Sequence, residues 1–311
     1  MDDRSGFGTR ACAGPLDGSR GLINPRAVRR GRISILAAVL GAGLACGPSE
    51  APRVELPVLI DGSELGPATN DLGWTVELTQ ARMVVEELRF TTAGEVHEGR
   101  GAGEGAQLLS HLSAQLGSLL LPRAWAHPGH FQDGEIIGEL AGRYAIDFAT
   151  EDGRELGRAT LIAGDYAALA FGLGRGDAQL GLESDDPLLG HSALLRGVAS
   201  GEREGQPFEL EFEFVVDSPL DREITGIPFD ASVDEGTQGA IGLRLYGVDP
   251  IEGDTLFAGI DFAALADFAT EGEPLRIADP DTVEQDPLLD ETYYALRREL
   301  QAHDLFEATL E

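Results

Sequence analysis

A pair of histidines around a short turn is the best candidate for chemistry in this chain. His127 and His130 are separated by a Pro-Gly dipeptide, which favours a tight turn and can bring two flanking imidazoles toward one point. His111 lies upstream and Glu135 downstream, so either could add a ligand. Imidazole and carboxylate ligands suit divalent metals, and the sequence therefore predicts a site for Cu(II), Zn(II) or nickel here. The alternative is an exposed loop whose imidazoles contact solvent or Trp125.

Cysteine and methionine usage narrows the metal chemistry. The chain has two cysteines, Cys12 and Cys46, and two methionines. Cys12 precedes a predicted export signal and Cys46 closes it, so the mature part has no thiol pair for a disulfide. Soft-ligand Cu(I) or iron–sulfur chemistry is thereby excluded. The stability of the mature part must come from burial, for which about 260 residues are sufficient.

No complete catalytic motif is present. Residues 190–194 resemble the nucleophile elbow of α/β-hydrolases, but Leu194 stands where that motif has Gly, and Ser192 opens a predicted strand. The glycine-rich residues 172–176 lack the downstream helix of a phosphate cradle. The acidic run 279–286 fails the EF-hand pattern. We therefore expect a protein that is not an enzyme, with an enzyme of unknown class as the third alternative.

The charge balance excludes one class of partner. The chain carries 54 Asp and Glu against 23 basic residues, a formal net charge of −31. A field of that sign repels phosphate backbones, so nucleic acid is excluded as a partner. It repels anionic lipid head groups as well. Any attachment to a membrane must then come from a lipid anchor, and an envelope protein remains a potential partner.

An export signal is the strongest positional feature. Three arginines between Arg29 and Arg32 precede the apolar run 33–45, which ends in small residues before Cys46. This is the order of a secretory signal, and the run is too short for a transmembrane helix. The end of the run resembles the lipobox of bacterial lipoproteins, which implies lipidation of Cys46; plain secretion is the alternative. We expect a cell-envelope lipoprotein, anchored in the outer membrane and facing the periplasm or the cell surface.

The predicted domain organisation has three parts. Residues 1–45 form the leader, with a true start near Val28 as an alternative. Residues 46–53 form the lipidated Cys and a tether. Residues 54–311 form one domain.

Period-2 patterns predict an all-β fold for that domain. Residues 208–216 alternate Phe, Leu or Val with Glu, which is typical of a strand with one wet face. Eight or nine such strands predict an antiparallel β-sandwich, with an inserted helix at 106–121 and a C-terminal helix at 290–305. The glycine-bounded residues 201–205 predict a hairpin loop. The other predicted strands are 54–60, 74–78, 83–90, 135–148, 155–163, 167–173, 192–199 and 240–248.

Four stretches, residues 72–92, 164–171, 208–216 and 256–262, are similar in pattern to periplasmic copper-binding β-sandwich proteins of the methanobactin-associated type. The resemblance implies a β-sandwich and copper binding. It carries no ligand motif, so His127 and His130 would be this chain's own ligands. We therefore expect an exported binding module for a divalent transition metal. The alternative is a structural or protein-interaction lipoprotein without metal.

Overall fold

The computed structural model describes residues 51–93, 134–219 and 222–311. These residues are mainly β, with twelve strands in one mixed sheet and two short α-helices. The all-β prediction is confirmed at that level, while the predicted number of strands was too low. No helix within the described ranges is long and apolar enough to span a membrane.

The elements follow one another along the chain with short connections. The strands are β1 (Arg53–Asp61), β2 (Ala68–Thr69), β3 (Thr75–Thr91), β4 (Ile136–Asp147), β5 (Glu155–Ile162), β6 (Gly164–Leu173), β7 (Ala193–Arg203), β8 (Gln206–Val216), β9 (Glu223–Val233), β10 (Ile241–Leu245), β11 (Leu275–Ile277) and β12 (Phe306–Leu310). The helices are α1 (Phe262–Leu265), between β10 and β11, and α2 (Pro287–Leu300), between β11 and β12.

The sheet runs in the order β11-β8-β7-β3-β4-β5-β1-β10-β12, with β2 and β6 added on β3 and β9 on β6. Most neighbours are antiparallel, as predicted. Two pairs, β1 with β10 and β11 with β8, are parallel, so the prediction of a purely antiparallel sheet is wrong. Parallel neighbours need a long crossover in sequence, and period-2 patterns carry no information on strand direction.

Strand β3 organises the sheet because it is 17 residues long and pairs with four strands. Along one edge, Thr75–Met83 pair with β7, and Val85–Thr91 then pair with β6. The opposite edge pairs with β4. The change of partner coincides with a break in register around Glu87, which has a φ of 55°. The break bends the strand, so its two halves belong to different parts of the sheet.

The buried side of the sheet holds one continuous apolar core. The predicted alternation of β8 is confirmed, since Leu210, Phe212 and Phe214 are buried while Glu209 and Glu211 are exposed. The largest side chains buried in this core are Tyr293, Phe90, Phe148, Phe171, Phe212, Phe214, Phe229, Phe262 and Phe306.

The C-terminal helix was predicted in the right place but with the wrong ending. Helix α2 begins after Asp286, whose carboxylate accepts a hydrogen bond from the Leu288 N–H, and it has a Pro at its first position. It buries Tyr293, among other residues, and ends at Leu300. The residues that follow form β12 instead of continuing the helix to 305. The other predicted helix, 106–121, lies outside the described residues.

Candidate functional site

Most of the predicted metal ligands lie outside the described residues, namely His111, His127 and His130. Cys46 lies outside them as well. Glu135 is described and exposed, just before β4. Its backbone N–H donates to the Thr92 hydroxyl at 3.1 Å, and its carbonyl accepts from the Thr92 N–H. Within the described ranges, no three His, Cys, Asp or Glu side chains are grouped so as to hold a metal ion. The metal site therefore stays a prediction.

The elbow-like segment 190–194 places its serine inside the protein. Ser192 is 1% exposed, and its Oγ accepts a hydrogen bond from the Ser218 N–H at 3.1 Å. A buried hydroxyl in this position cannot meet a substrate. The interpretation of this segment as non-catalytic at Ser192 agrees with this geometry.

The neighbouring histidine has a partner that the sequence analysis missed. Nδ1 of His191 lies 3.2 Å from both carboxylate oxygens of Asp217, whose side chain is only 6% exposed. Arg175 lies 3.8 Å from the same carboxylate. Because Ala193 pairs with Val216 across the β7–β8 hairpin, His191 and Asp217 flank that pair. The hairpin register was the signal that could have found this contact.

The loop between β6 and β7, residues 174–192, is fixed against the outer face of the sheet. Arg82 on β3 makes two hydrogen bonds to Asp186, at 2.9 and 2.8 Å, which lower the pKa of that carboxyl. Arg143 on β4 pairs with Asp177 at 2.8 Å. Leu188 packs with Val84, among other side chains. The arginines of β3 and β4 therefore serve to anchor this loop.

A cavity of about 300 Å³ lies on the outer face of β1 and β10. Along these strands every second residue faces outward, which places Leu59 and Asp61 beside Gly242 and Arg244. We call this space the Arg244 cavity. It is lined by Leu59, Ile60, Asp61, Ser63, Asp152, Gly153, Ala240, Gly242, Arg244 and Glu311.

Arg244 is the electrostatic centre of the cavity. Its Nε donates to Asp61 Oδ2 at 2.7 Å, and its guanidinium lies 3.2 Å from Glu307 and 3.8 Å from Glu311. Glu307 also accepts a hydrogen bond from the Tyr246 hydroxyl. The side chains of Arg244 and Asp61 are only 17% and 13% exposed, so the pair is held in a setting where charge interactions are strong.

The pKa values in the cavity follow from this arrangement. Burial opposes ionisation of Asp61, but the hydrogen bonds from Ser63 and Arg244 outweigh it and lower the pKa of the carboxyl. Burial likewise opposes the charged form of Arg244, yet its hydrogen bonds with Tyr246 and Asp61 raise the pKa of the guanidinium. Both groups are therefore ionised at neutral pH. The cavity can hold a polar ligand by charge and hydrogen bonding, and it presents no nucleophile with an adjacent base.

Comparison with known proteins gives no relative for this chain: no family model, no curated protein and no solved structure matches it.

Proposed function

We propose that this chain is an exported envelope lipoprotein, anchored through acyl chains on Cys46, that acts as a binding module. The carrying observation is the order of arginines, a 13-residue apolar run, small residues and a cysteine between Arg29 and Cys46. The net charge of −31 supports attachment by a lipid anchor, because the protein surface itself is repelled by anionic head groups.

The proposal includes a β-sandwich as the form of the binding module. Its support is a set of aromatic contacts between strands that are not neighbours in the sheet. The ring of Phe171 on β6 lies 5.2 Å from that of Phe306 on β12, and Phe148 beside β4 lies 6.4 Å from the same ring. Side chains that meet in this way across a core are typical of two layers packed face to face.

The test of the anchor uses the two cysteines of the chain as a matched pair. The full chain is expressed in a Gram-negative host fed an alkyne fatty acid, and its labelling is measured in the membrane fraction. We expect labelling that is abolished by Cys46→Ser and unchanged by Cys12→Ser. An unlabelled full-length chain in the cytosol, or labelling that survives Cys46→Ser, would refute the proposal.

The binding module is further proposed to take a divalent transition metal, Cu(II) or Zn(II), at His127 and His130, with His111 or Glu135 as a third ligand. Calorimetric titration of the exported protein with each metal tests this. We expect binding tighter than about 10 μM, lost when both His127 and His130 become Ala. His191→Ala is the matched control, because that imidazole is engaged with Asp217. Equal loss in the control, or no loss in the double variant, contradicts the metal site.

The second candidate function is a protein-interaction lipoprotein without metal. One observation favours it: Val248 and Ile251, in the loop after β10, are 41% and 63% exposed. Large apolar side chains exposed together on one loop are typical of contact surfaces. Under this alternative, the variant Ile251→Ser weakens co-purification with an envelope partner, while the double histidine variant leaves it unchanged.

A further inference from the structure

The Arg244 cavity has an excess of negative charge on one side of the sheet. The guanidinium of Arg244 is the single cation among the described residues that line it, against the carboxylates of Asp61, Asp152 and Glu311. Glu307 adds a fourth carboxylate, 3.2 Å from the guanidinium. Asp61 is fully used by Arg244 and Ser63. The remaining negative charge faces a concave space, where low-dielectric walls focus the field.

A glycine in the middle of a strand keeps the cavity open. Gly242 lies on β10 between β1 and β12, where it pairs with Leu59 and Thr309. A Cβ added to Gly242 would lie 3.1 Å from the Thr309 hydroxyl and 3.6 Å from Asp61, so any larger side chain would project into the space beside Asp61. Glycine weakens a strand interior and often marks a place where a ligand approaches the backbone. This observation is independent of the charges around it.

The lining also has an apolar part. Leu59 lies on the outward face of β1, directly beside Gly242, and is only partly buried. The hydroxyl of Ser63 lies next to Asp61, at 2.6 Å from its carboxylate. A ligand in this cavity would therefore meet an aliphatic side chain, a hydroxyl and unbalanced carboxylates. A pocket of this size with a few converging polar groups is typical of small-molecule sites.

We propose that the Arg244 cavity binds a small organic cation, an ammonium or guanidinium group on a short aliphatic chain. The cationic group contacts the carboxylates of Asp152 and Glu311, and the aliphatic part packs over Gly242 against Leu59. The buried pair of Asp61 and Arg244 forms the fixed floor of the site. This site does not depend on the export signal or on the histidines of the proposed metal site.

The test is an NMR titration of the protein with butylammonium, using butan-1-ol as the uncharged control of nearly equal shape. Both titrations are run at physiological ionic strength, where diffuse attraction between exposed charges is largely screened. We expect saturable shifts of the backbone amides of Asp61, Asp152 and Gly242 with butylammonium and none with the alcohol. The double variant Asp152→Asn and Glu311→Gln should weaken binding about fivefold or more.

Two further variants separate a built site from diffuse charge. Glu209→Gln with Glu211→Gln removes the same charge from the exposed face of β8 and should leave the affinity unchanged. Gly242→Ala should reduce the affinity without changing the net charge. Shifts that do not saturate, equal binding of the alcohol, or equal loss in the β8 variant would each overturn the proposal.

Discussion

The substitution Asn70→Asp tests how a single buried amide joins two distant segments. Asn70 is 5% exposed, between β2 and β3. Its Nδ2 donates to the carbonyls of Phe257 and Ile260, at 3.0 and 2.9 Å. Its Oδ1 accepts from the N–H groups of Leu72 and Trp74, at 3.1 and 2.9 Å. All four hydrogen-bonding positions of the amide are therefore used.

The expected loss of stability follows from these four bonds. Replacement by Asp keeps the shape and the two accepted bonds, but it directs a carboxylate oxygen at the two carbonyls that Nδ2 now serves. Two buried hydrogen bonds at about 0.5–1.5 kcal/mol each, plus the burial and repulsion of the charge, give a loss of about 3–5 kcal/mol at neutral pH. Asn70→Ala breaks all four bonds and should cost a similar amount, about 4 kcal/mol.

Urea denaturation followed by tryptophan fluorescence measures these losses, since Trp74 is buried beside Asn70. The matched control is Asp71→Asn, because an amide oxygen can still accept from Gly259 as the exposed carboxylate does at 2.7 Å; its change should stay within about 1 kcal/mol. The introduced carboxyl ionises less readily when folded than when unfolded, so the penalty of Asn70→Asp should shrink toward about pH 4. A loss below about 1 kcal/mol at neutral pH would show that shape, not hydrogen bonding, decides this position.

Three more outcomes are expected. Glu204→Asn should stabilise the protein by about 0.5–1 kcal/mol in urea denaturation, because Glu204 has a φ of 53° in the two-residue loop between β7 and β8; Glu202→Asn, within β7, should give no gain. The lowered pKa of Asp186, caused first by its hydrogen bond from Arg82, adds stability above the usual value of 3.8 that is lost on further acidification. Asp186→Asn should therefore flatten the acid-unfolding curve, and an unchanged curve would contradict this assignment. Burial raises the pKa of Tyr166 and of Tyr293 to about 12, so stability should fall as pH rises above 10, and both phenols should ionise late in an ultraviolet titration; Tyr293→Phe should remove one late step.

The strands with one wet face were predictable from the sequence, and the strands with irregular composition were not. Strand β8 alternates buried and exposed residues along most of its length, which period 2 detects directly. Strand β9 contains Gly226 and Pro228, which local rules treat as breaks. The structure accommodates them by two register shifts against β6. Strand β12 has only five residues and no alternation strong enough to compete with the helix before it.

The candidate site was less predictable than the fold. The contact of His191 with Asp217 needed only the register of a hairpin that the sequence does predict. The Arg244 cavity needed more, because Arg244 and Asp61 are 183 residues apart and meet through a parallel pair of strands. No local pattern encodes such a pair, since it depends on the path of the whole chain.

That parallel pair also governs when the chain can finish folding. At about 5–20 residues per second, a ribosome needs roughly 10–40 s to deliver β10 after β1 has emerged. Until then one edge of the first strand has no neighbour, and β10 in turn waits for β12. Pairings between such distant segments form slowly. Completion of the sheet is thus delayed until after synthesis, which suits a polypeptide that has to be threaded through a membrane pore before it acquires its native shape.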